Sequence, residues 1–262
     1  MKIGASMLAT ENMAMKEALD YFESNKYIEY VEILHDYPYR EINDNNELID
    51  LINSYSLKYT IHSPFIDLNI ASLNSALARL SVEEIKRSID LANMIDSNIV
   101  VVHPGTVSFS GRGKEDIIYK IGRDSLIDIG DYAKDNDVNA CIENLPNIEG
   151  FMYQDVSQLN ETLTELDLPM TLDIGHAHTA GFTPDEIYFD SIKHIHVHDN
   201  PGDDDTHLTL GEGSFAVNEF FDIFIQNNYD GSYMLELYSI DSIEKSIEYM
   251  KSLGLLWLND KI

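Results

Sequence analysis

The chain has 262 residues, 44% of them hydrophobic, which is enough for one large core. Its single cysteine, Cys141, excludes an internal disulfide framework and fits a reducing compartment. No apolar run approaches the roughly 18 residues of a membrane span, and MKIGASMLAT does not read as a leader, so the expectation is a soluble, cytoplasmic protein. Seventeen Lys and Arg against 46 Asp and Glu give a formal charge of −29, and the mean surface field therefore repels polyanions.

From residue 2 onward a short apolar run alternates with a longer amphipathic one eight times, the βα repeat of an α/β protein of the (β/α)8 TIM-barrel class. The expected strands are Lys2–Ser6, Tyr30–Leu34, Lys58–His62, Asn98–His103, Asn139–Glu143, Met170–Asp173, His194–His198 and Ser232–Leu237. Helices fall between and after them. Ser81-Val-Glu-Glu84 and Asp241-Ser-Ile-Glu244 fit the capping box, and Thr183-Pro-Asp-Glu186 adds proline at a first helical position. Ile85, Ile89 and Ala92 share a helical face, as do Ile243, Ile247 and Met250, while Phe220, Phe221 and Phe224 cluster on another. No linker or composition shift divides the chain, so a single barrel domain is expected over residues 1–262.

Six strands in succession carry a potential metal ligand at or near their ends: His62, His103, Glu143, Asp173, His196 and Glu236. The C-terminal ends of parallel barrel strands converge on one mouth, where such proteins place their chemistry. His62-Ser-Pro and His103-Pro-Gly both turn just after a histidine, and a carboxylate behind an apolar strand, as at Glu143, needs a cation or an unusual pKa. The densest stretch is Lys193–Gly213, KHIHVHDNPGDDDTHLTLGEG. Alternation along a strand puts His194, His196 and His198 on one face and Ile195 and Val197 on the other. Its loop adds Asp205 and His207, and His176 follows Asp173 by three residues. His178 and His198 are candidates for orienting ligands or substrate, whereas His35 and His194 read as hydrogen-bonded structure. The loop Ser108–Lys114 offers glycine N–H groups with Arg112 and Lys114 to a substrate phosphate, or is simply a polar turn.

The set His62, His103-Pro-Gly, Glu143-Asn, Asp173-Ile-Gly-His176, His196-Val-His198-Asp199, Asp205-Thr-His207, Leu-Gly-Glu-Gly and Glu236 resembles the xylose-isomerase-like barrel superfamily. That group holds both endonuclease IV-type DNA repair enzymes and sugar phosphate isomerases and epimerases, so the resemblance is more specific for a metal site than for a substrate. The endonuclease pattern implies three zinc ions: His62, His103 and Glu143 on one, Glu143, Asp173, His196 and Glu236 on a second, His176, Asp205 and His207 on a third. The isomerase pattern implies one divalent ion, zinc or manganese, on Glu143, Asp173, His196 and Glu236. Glu143 and Glu236 then move protons in a reaction through a metal-stabilised enediolate. With His176 they are the catalytic candidates, and His198, Arg112 and Lys114 the substrate-binding ones. Phe65 stands where the endonucleases usually have tyrosine, and the acidic charge opposes DNA. These departures favour a sugar or sugar phosphate isomerase or epimerase over an abasic-site phosphodiesterase. A metal-binding barrel with a regulatory role is a third reading.

Overall fold

A computed structural model describes residues 1–39 and 41–256. Eight parallel strands, β1 (Lys2–Ser6), β2 (Ile28–Leu34), β3 (Lys58–His62), β4 (Ile99–Val102), β5 (Asn139–Glu143), β6 (Met170–Asp173), β7 (Ile192–Val197) and β8 (Ser232–Leu235), close into a barrel in chain order, with β8 paired to β1. The helices outside are α1 (Met15–Ser24), α2 (Asn46–Asn53), α3 (Ser75–Met94), α4 (Glu115–Asp135), α5 (Val156–Leu166), α6 (Ile174–Thr179), α7 (Val217–Gln226) and α8 (Ile240–Ser252). The TIM barrel expected from the alternating pattern is the fold observed. Among the described residues no helix is long and apolar enough to cross a membrane.

The ladder ends earlier than expected on three strands, which leaves His103, His198 and Glu236 just beyond β4, β7 and β8. Pro104 lacks an N–H and cannot extend the ladder past His103. Of the three residues, His103 and Glu236 line the mouth, while His198 is buried behind it.

Two expected capping boxes are corrected. Ser81 sits inside α3, where its hydroxyl donates to Leu77 O and accepts from Asn69 N; the helix is capped earlier, by Asn74 on Ala76 N. Ser239, not Asp241, caps α8 by accepting from Ser242 N. In both cases a short side chain upstream, seven residues before Ser81 and two before Asp241, has already met a free N–H group. The Thr183–Glu186 box does form, but it closes a single 3-10 turn over Pro184–Glu186. The helix after β6 is α6, started directly from the strand because Asp173 accepts from His176 N at 2.7 Å.

Apolar packing holds the outer layer to the barrel. On α7, Phe220, Phe221 and Phe224 are fully buried, and Phe220 packs against Phe224 and Phe221 at ring separations of 4.5 and 5.1 Å and against Tyr233 of β8. Truncating a buried aromatic loses transfer free energy and leaves a cavity. Phe220→Ala is therefore expected to destabilise the fold by about 3–5 kcal/mol, read from urea unfolding of wild type and variant. A loss under about 1 kcal/mol would mean that α7 is not clamped by this cluster.

Candidate metal centre

The mouth is built first from the ends of β5 and β6. Asn144, the residue after Glu143, accepts from Asp173 N at 2.8 Å and donates to Asp173 O at 2.9 Å. This two-point clamp locks the two strand ends together. The Asn144 carbonyl also accepts from His176 Nδ1 at 2.8 Å, so one residue orients three of the candidates named from sequence.

Three neighbouring imidazoles, those of His62, His176 and His207, are fixed through Nδ1 and present Nε2, the nitrogen that His103 also turns toward the cluster. His62 Nδ1 donates to Ser63 O at 2.9 Å and His207 Nδ1 to Glu236 O at 2.8 Å, as His176 does to Asn144 O. Their free Nε2 atoms face carboxylates: His62 lies 3.5 Å and His103 2.9 Å from Glu143 Oε2, and His176 and His207 lie 3.2 and 3.3 Å from Asp205 Oδ2. His196 Nδ1 stands at the middle, 2.7 Å from Glu143 Oε1, 3.2 Å from Glu236 Oε2 and 3.8 Å from Asp173 Oδ2.

The loop after β7 is shaped by a buried carboxylate. Asp199 accepts from the backbone N–H groups of Asn200, Gly211, Gly213 and Phe215 at 2.9–3.2 Å. A Cβ on Gly213 would come within 2.2 Å of Asp199 Oδ1, and Gly211 has φ +84°, so the Gly-Glu-Gly sequence is what lets the chain close around Asp199. The loop so held delivers Asp205 and His207 to the mouth.

Three groups of side chains each bring their ligand atoms within 4.8 Å of one another: His62, His103 and Glu143; Glu143, Asp173, His196 and Glu236; and His176, His198, Asp205 and His207. Glu143 Oε2, Asp173 Oδ2 and Asp205 Oδ1 are buried without a hydrogen-bond partner, a costly arrangement that a cation among them would relieve. Imidazole nitrogen and carboxylate oxygen are also the donor types that zinc and manganese accept. The residues fit one or more divalent cations.

Burial alone would raise the Glu143 carboxyl, but His196, His103 and His62 outweigh it and hold it well below the usual carboxylate range. Burial opposes the charged form of His176 as well, and Asp173, Asp205 and Glu143 overcome it to push that imidazole up to about 10. Against the same burial penalty, Glu143 lifts His62 to about 9, and Asp205 and Glu236 lift His207 to about 9. At His103 desolvation wins, and the pKa falls.

A cavity of about 270 Å³ opens over this cluster. Its floor is His62, His103, Glu143, His176, Asp205, His207 and Glu236, and its walls include Leu8, Leu34, Phe65, Leu145, Phe151 and Tyr238. Phe65 lies flat over His103 at 4.8 Å. Asp173 and His196 sit behind this floor, fully buried.

The substrate-binding candidates lie elsewhere. His198 is also fully buried, stacked on His207 at 3.8 Å with Nε2 3.1 Å from Asp173 Oδ1, so it touches the cluster from behind. Arg112 pairs with Glu149 and lies over Phe109, and Lys114 is an exposed residue at the start of α4. Neither lines the cavity. His178, expected to orient ligands or substrate, bonds Ser214 Oγ, and His35, read from sequence as structure, bonds Ser88 Oγ.

One buried acid in the cluster has no counterpart among the sequence candidates. Glu32 of β2 is fully buried and reaches across the barrel to β7, where Oε2 accepts from His194 Nε2 at 2.9 Å and from His196 Nε2 at 3.2 Å. The only local signal was a glutamate within an otherwise apolar strand end, Val-Glu-Ile-Leu.

Fold and site together define a (β/α)8 barrel whose C-terminal mouth carries a buried carboxylate–imidazole cluster under a small cavity. The chain belongs to the xylose isomerase-like TIM barrel family, matched over residues 13–253. The uncharacterized protein MJ1311 of Methanocaldococcus jannaschii is 31% identical over 260 residues, covering 96% of this chain and 88% of the relative. A probable endonuclease 4 of Staphylococcus carnosus is 27% identical over 181 residues, 60% of this chain and 58% of the relative. Among solved structures, a D-tagatose 3-epimerase-like protein matches with a TM-score of 0.88 at 31% identity, covering 97% of each chain. D-Psicose 3-epimerase, crystallised in the presence of D-fructose, shares the fold with a TM-score of 0.81 at 15% identity, over 98% of this chain and 100% of that one.

The raised imidazoles set a pH dependence for the metal-free protein. A histidine whose folded pKa lies above the unfolded value of about 6.5 contributes stability that is complete below about pH 6.5 and lost as pH rises through the folded pKa. With His62 and His207 near 9 and His176 near 10, the melting temperature in chelator is expected to fall between about pH 6.5 and 10. A flat or rising profile over that window, measured by differential scanning fluorimetry, contradicts the imidazolium–carboxylate pairing.

Proposed function

We propose that the protein is a divalent-metal-dependent sugar isomerase or epimerase that moves a proton at the carbon beside a substrate carbonyl. One observation carries the reading. Glu143 from the end of β5 and Glu236 from beyond β8, three strands apart around the barrel, converge on the same nitrogen of His196 and both reach the cavity floor. The likeness to a D-tagatose 3-epimerase-like protein over nearly the whole of both chains supports it.

A divalent ion held by Glu143, Asp173, His196 and Glu236, zinc or manganese, would polarise the substrate carbonyl and its neighbouring hydroxyl. One glutamate then removes the carbon-bound proton to leave an enediolate. The other returns a proton, to the opposite face of that carbon for an epimer, or to the adjacent carbon for an isomer, in which case the hydroxyl proton also passes to the former carbonyl oxygen. The apolar walls exclude water from the proton in transit and suit the carbon face of an uncharged sugar better than a phosphate, which narrows the expected substrate to the free sugar. The volume lies just below the usual range of about 300–1,000 Å³ for small-molecule sites.

A second reading, a zinc phosphodiesterase acting on abasic DNA, is favoured by the two outer groups around His62 and His176 and by the endonuclease 4 relative. The net charge of −29 opposes it, because DNA affinity rests on cations that release counterions from phosphate.

Metal-loaded Glu143→Gln and Glu236→Gln proteins, incubated with D-tagatose, D-psicose or D-fructose in D2O, are expected to lose carbon-bound proton exchange by about 10²-fold or more relative to wild type. The measurement is proton NMR, with metal content determined on the same samples. Exchange at the wild-type rate in variants that keep their metal would remove both glutamates from the proton path.

A further inference from the structure

Of the imidazoles that face the centre, His62, His176 and His207 are oriented by neutral backbone carbonyls. His196 is different. Its outer nitrogen meets a carboxylate: Nε2 lies 3.2 Å from Glu32 Oε2 and 3.1 Å from Oε1, while Nδ1 faces Glu143, Glu236 and Asp173.

Besides His196, Glu32 is held by His194 and Thr60, and His194 is held in turn by Ser232. His194 Nε2 donates to Oε2 at 2.9 Å, Thr60 Oγ1 donates to the same oxygen at 3.2 Å, and Ser232 Oγ lies 3.3 Å from His194 Nδ1, so the network runs from β2 through β3 and β7 to β8. All four polar side chains are buried, Glu32 and His194 completely. Such an ionisable set in the bore of a barrel, where branched apolar side chains are usual, is costly unless each group is paired. Glu32, His194 and His196 also fall within the distances of a metal-binding group, but Glu32 Oε2, His194 Nε2 and His196 Nε2 are already joined by hydrogen bonds, which leaves Oε1, 3.1 Å from His196 Nε2, as the one facing atom without a hydrogen bond. The arrangement therefore works through His196 and not as a separate cation site.

We propose that Glu32 is a positioning residue for the metal centre, fixing His196 as the tautomer with the proton on Nε2 and the lone pair of Nδ1 aimed at the group formed with Glu143, Asp173 and Glu236. A charged acceptor behind a ligating imidazole does two things. It holds the ring's orientation, and it raises the electron density at the opposite nitrogen, so the ligand binds a cation more strongly. The neutral carbonyls behind the other histidines give orientation with less of that push. Glu32 thus strengthens the one ligand nitrogen that touches both proposed proton-transfer glutamates.

The proposal rests on the reading of the four-residue group as a metal centre, and the experiment separates the two. Zn2+ affinity is measured on wild type and Glu32→Gln by competition with a chelating dye, alongside the thermal stability of both metal-free proteins. The glutamine is nearly isosteric and neutral, and is expected to weaken Zn2+ binding at the tightest site by about 10–100-fold. In wild-type Zn2+-loaded protein labelled with 15N at histidine, NMR is expected to show His196 protonated at Nε2 and metal-bound through Nδ1. This second measurement needs no variant and stands even where Glu32→Gln fails to fold. Wild type that binds no Zn2+ overturns the metal-centre reading and this inference with it. Wild type that binds Zn2+ through His196 Nε2, or a folded Glu32→Gln protein with unchanged Zn2+ affinity, overturns the role of Glu32 alone.

Discussion

The mouth of this barrel depends on burying carboxylates at and behind the floor of a small cavity. Glu143, Asp173 and Glu236 are each less than a tenth exposed, and none has a lysine or arginine as hydrogen-bond or ion-pair partner among the described residues. Histidines pair with them instead. Imidazole is the one side chain that can neutralise a carboxylate as a cation and then, on losing its proton, become a ligand beside it. That dual capacity would connect the stability of the metal-free cluster to binding of a divalent ion, since an entering metal would displace protons from the same nitrogens.

Much of the surrounding structure can be read as what it takes to hold those rings. The Asn144 clamp ties β5 to β6 and accepts from His176. Asp199, bonded by four backbone N–H groups, shapes the loop that brings Asp205 and His207 inward, and the Gly-Glu-Gly sequence allows that loop to approach. Gly175 has the same service on α6, where a Cβ would come within 1.9 Å of the His198 ring. The surface acids act in the opposite sense to the buried ones. Uncompensated outside and paired within, the negative charge discourages a polyanionic partner while leaving a small apolar-walled cavity open to a neutral molecule.

The frame was legible because it is local. Eight apolar runs at regular spacing define the barrel, and once its C-terminal ends are known to converge, His62, His103, Glu143, Asp173, His196 and Glu236 fall at one place without further information. What remained hidden is non-local. Glu32 differs little from Glu29 on the same strand, which is exposed and beside Lys58; only closure of the barrel turns the one toward His194 and His196 and the other to solvent. Asn144 and Asp199 stood inside recognised motifs, yet their partners are backbone atoms 29 and up to 16 residues away, which a motif does not reveal. Arg112 was placed near a substrate by its loop's composition, but it pairs with Glu149 and does not line the cavity. Ser81 and Asp241 fit a capping pattern, but competing caps upstream had already filled the role.

Whether Glu143, Asp173, His196 and Glu236 hold a divalent ion between them is read from anomalous diffraction of crystals grown with Zn2+, collected on both sides of the zinc absorption edge. A zinc peak bounded by those four side chains is expected, with His196 Nδ1 among the ligands. Crystals that diffract well and show no zinc peak there, at Zn2+ concentrations far above those that saturate the protein in solution, would contradict the metal-centre reading.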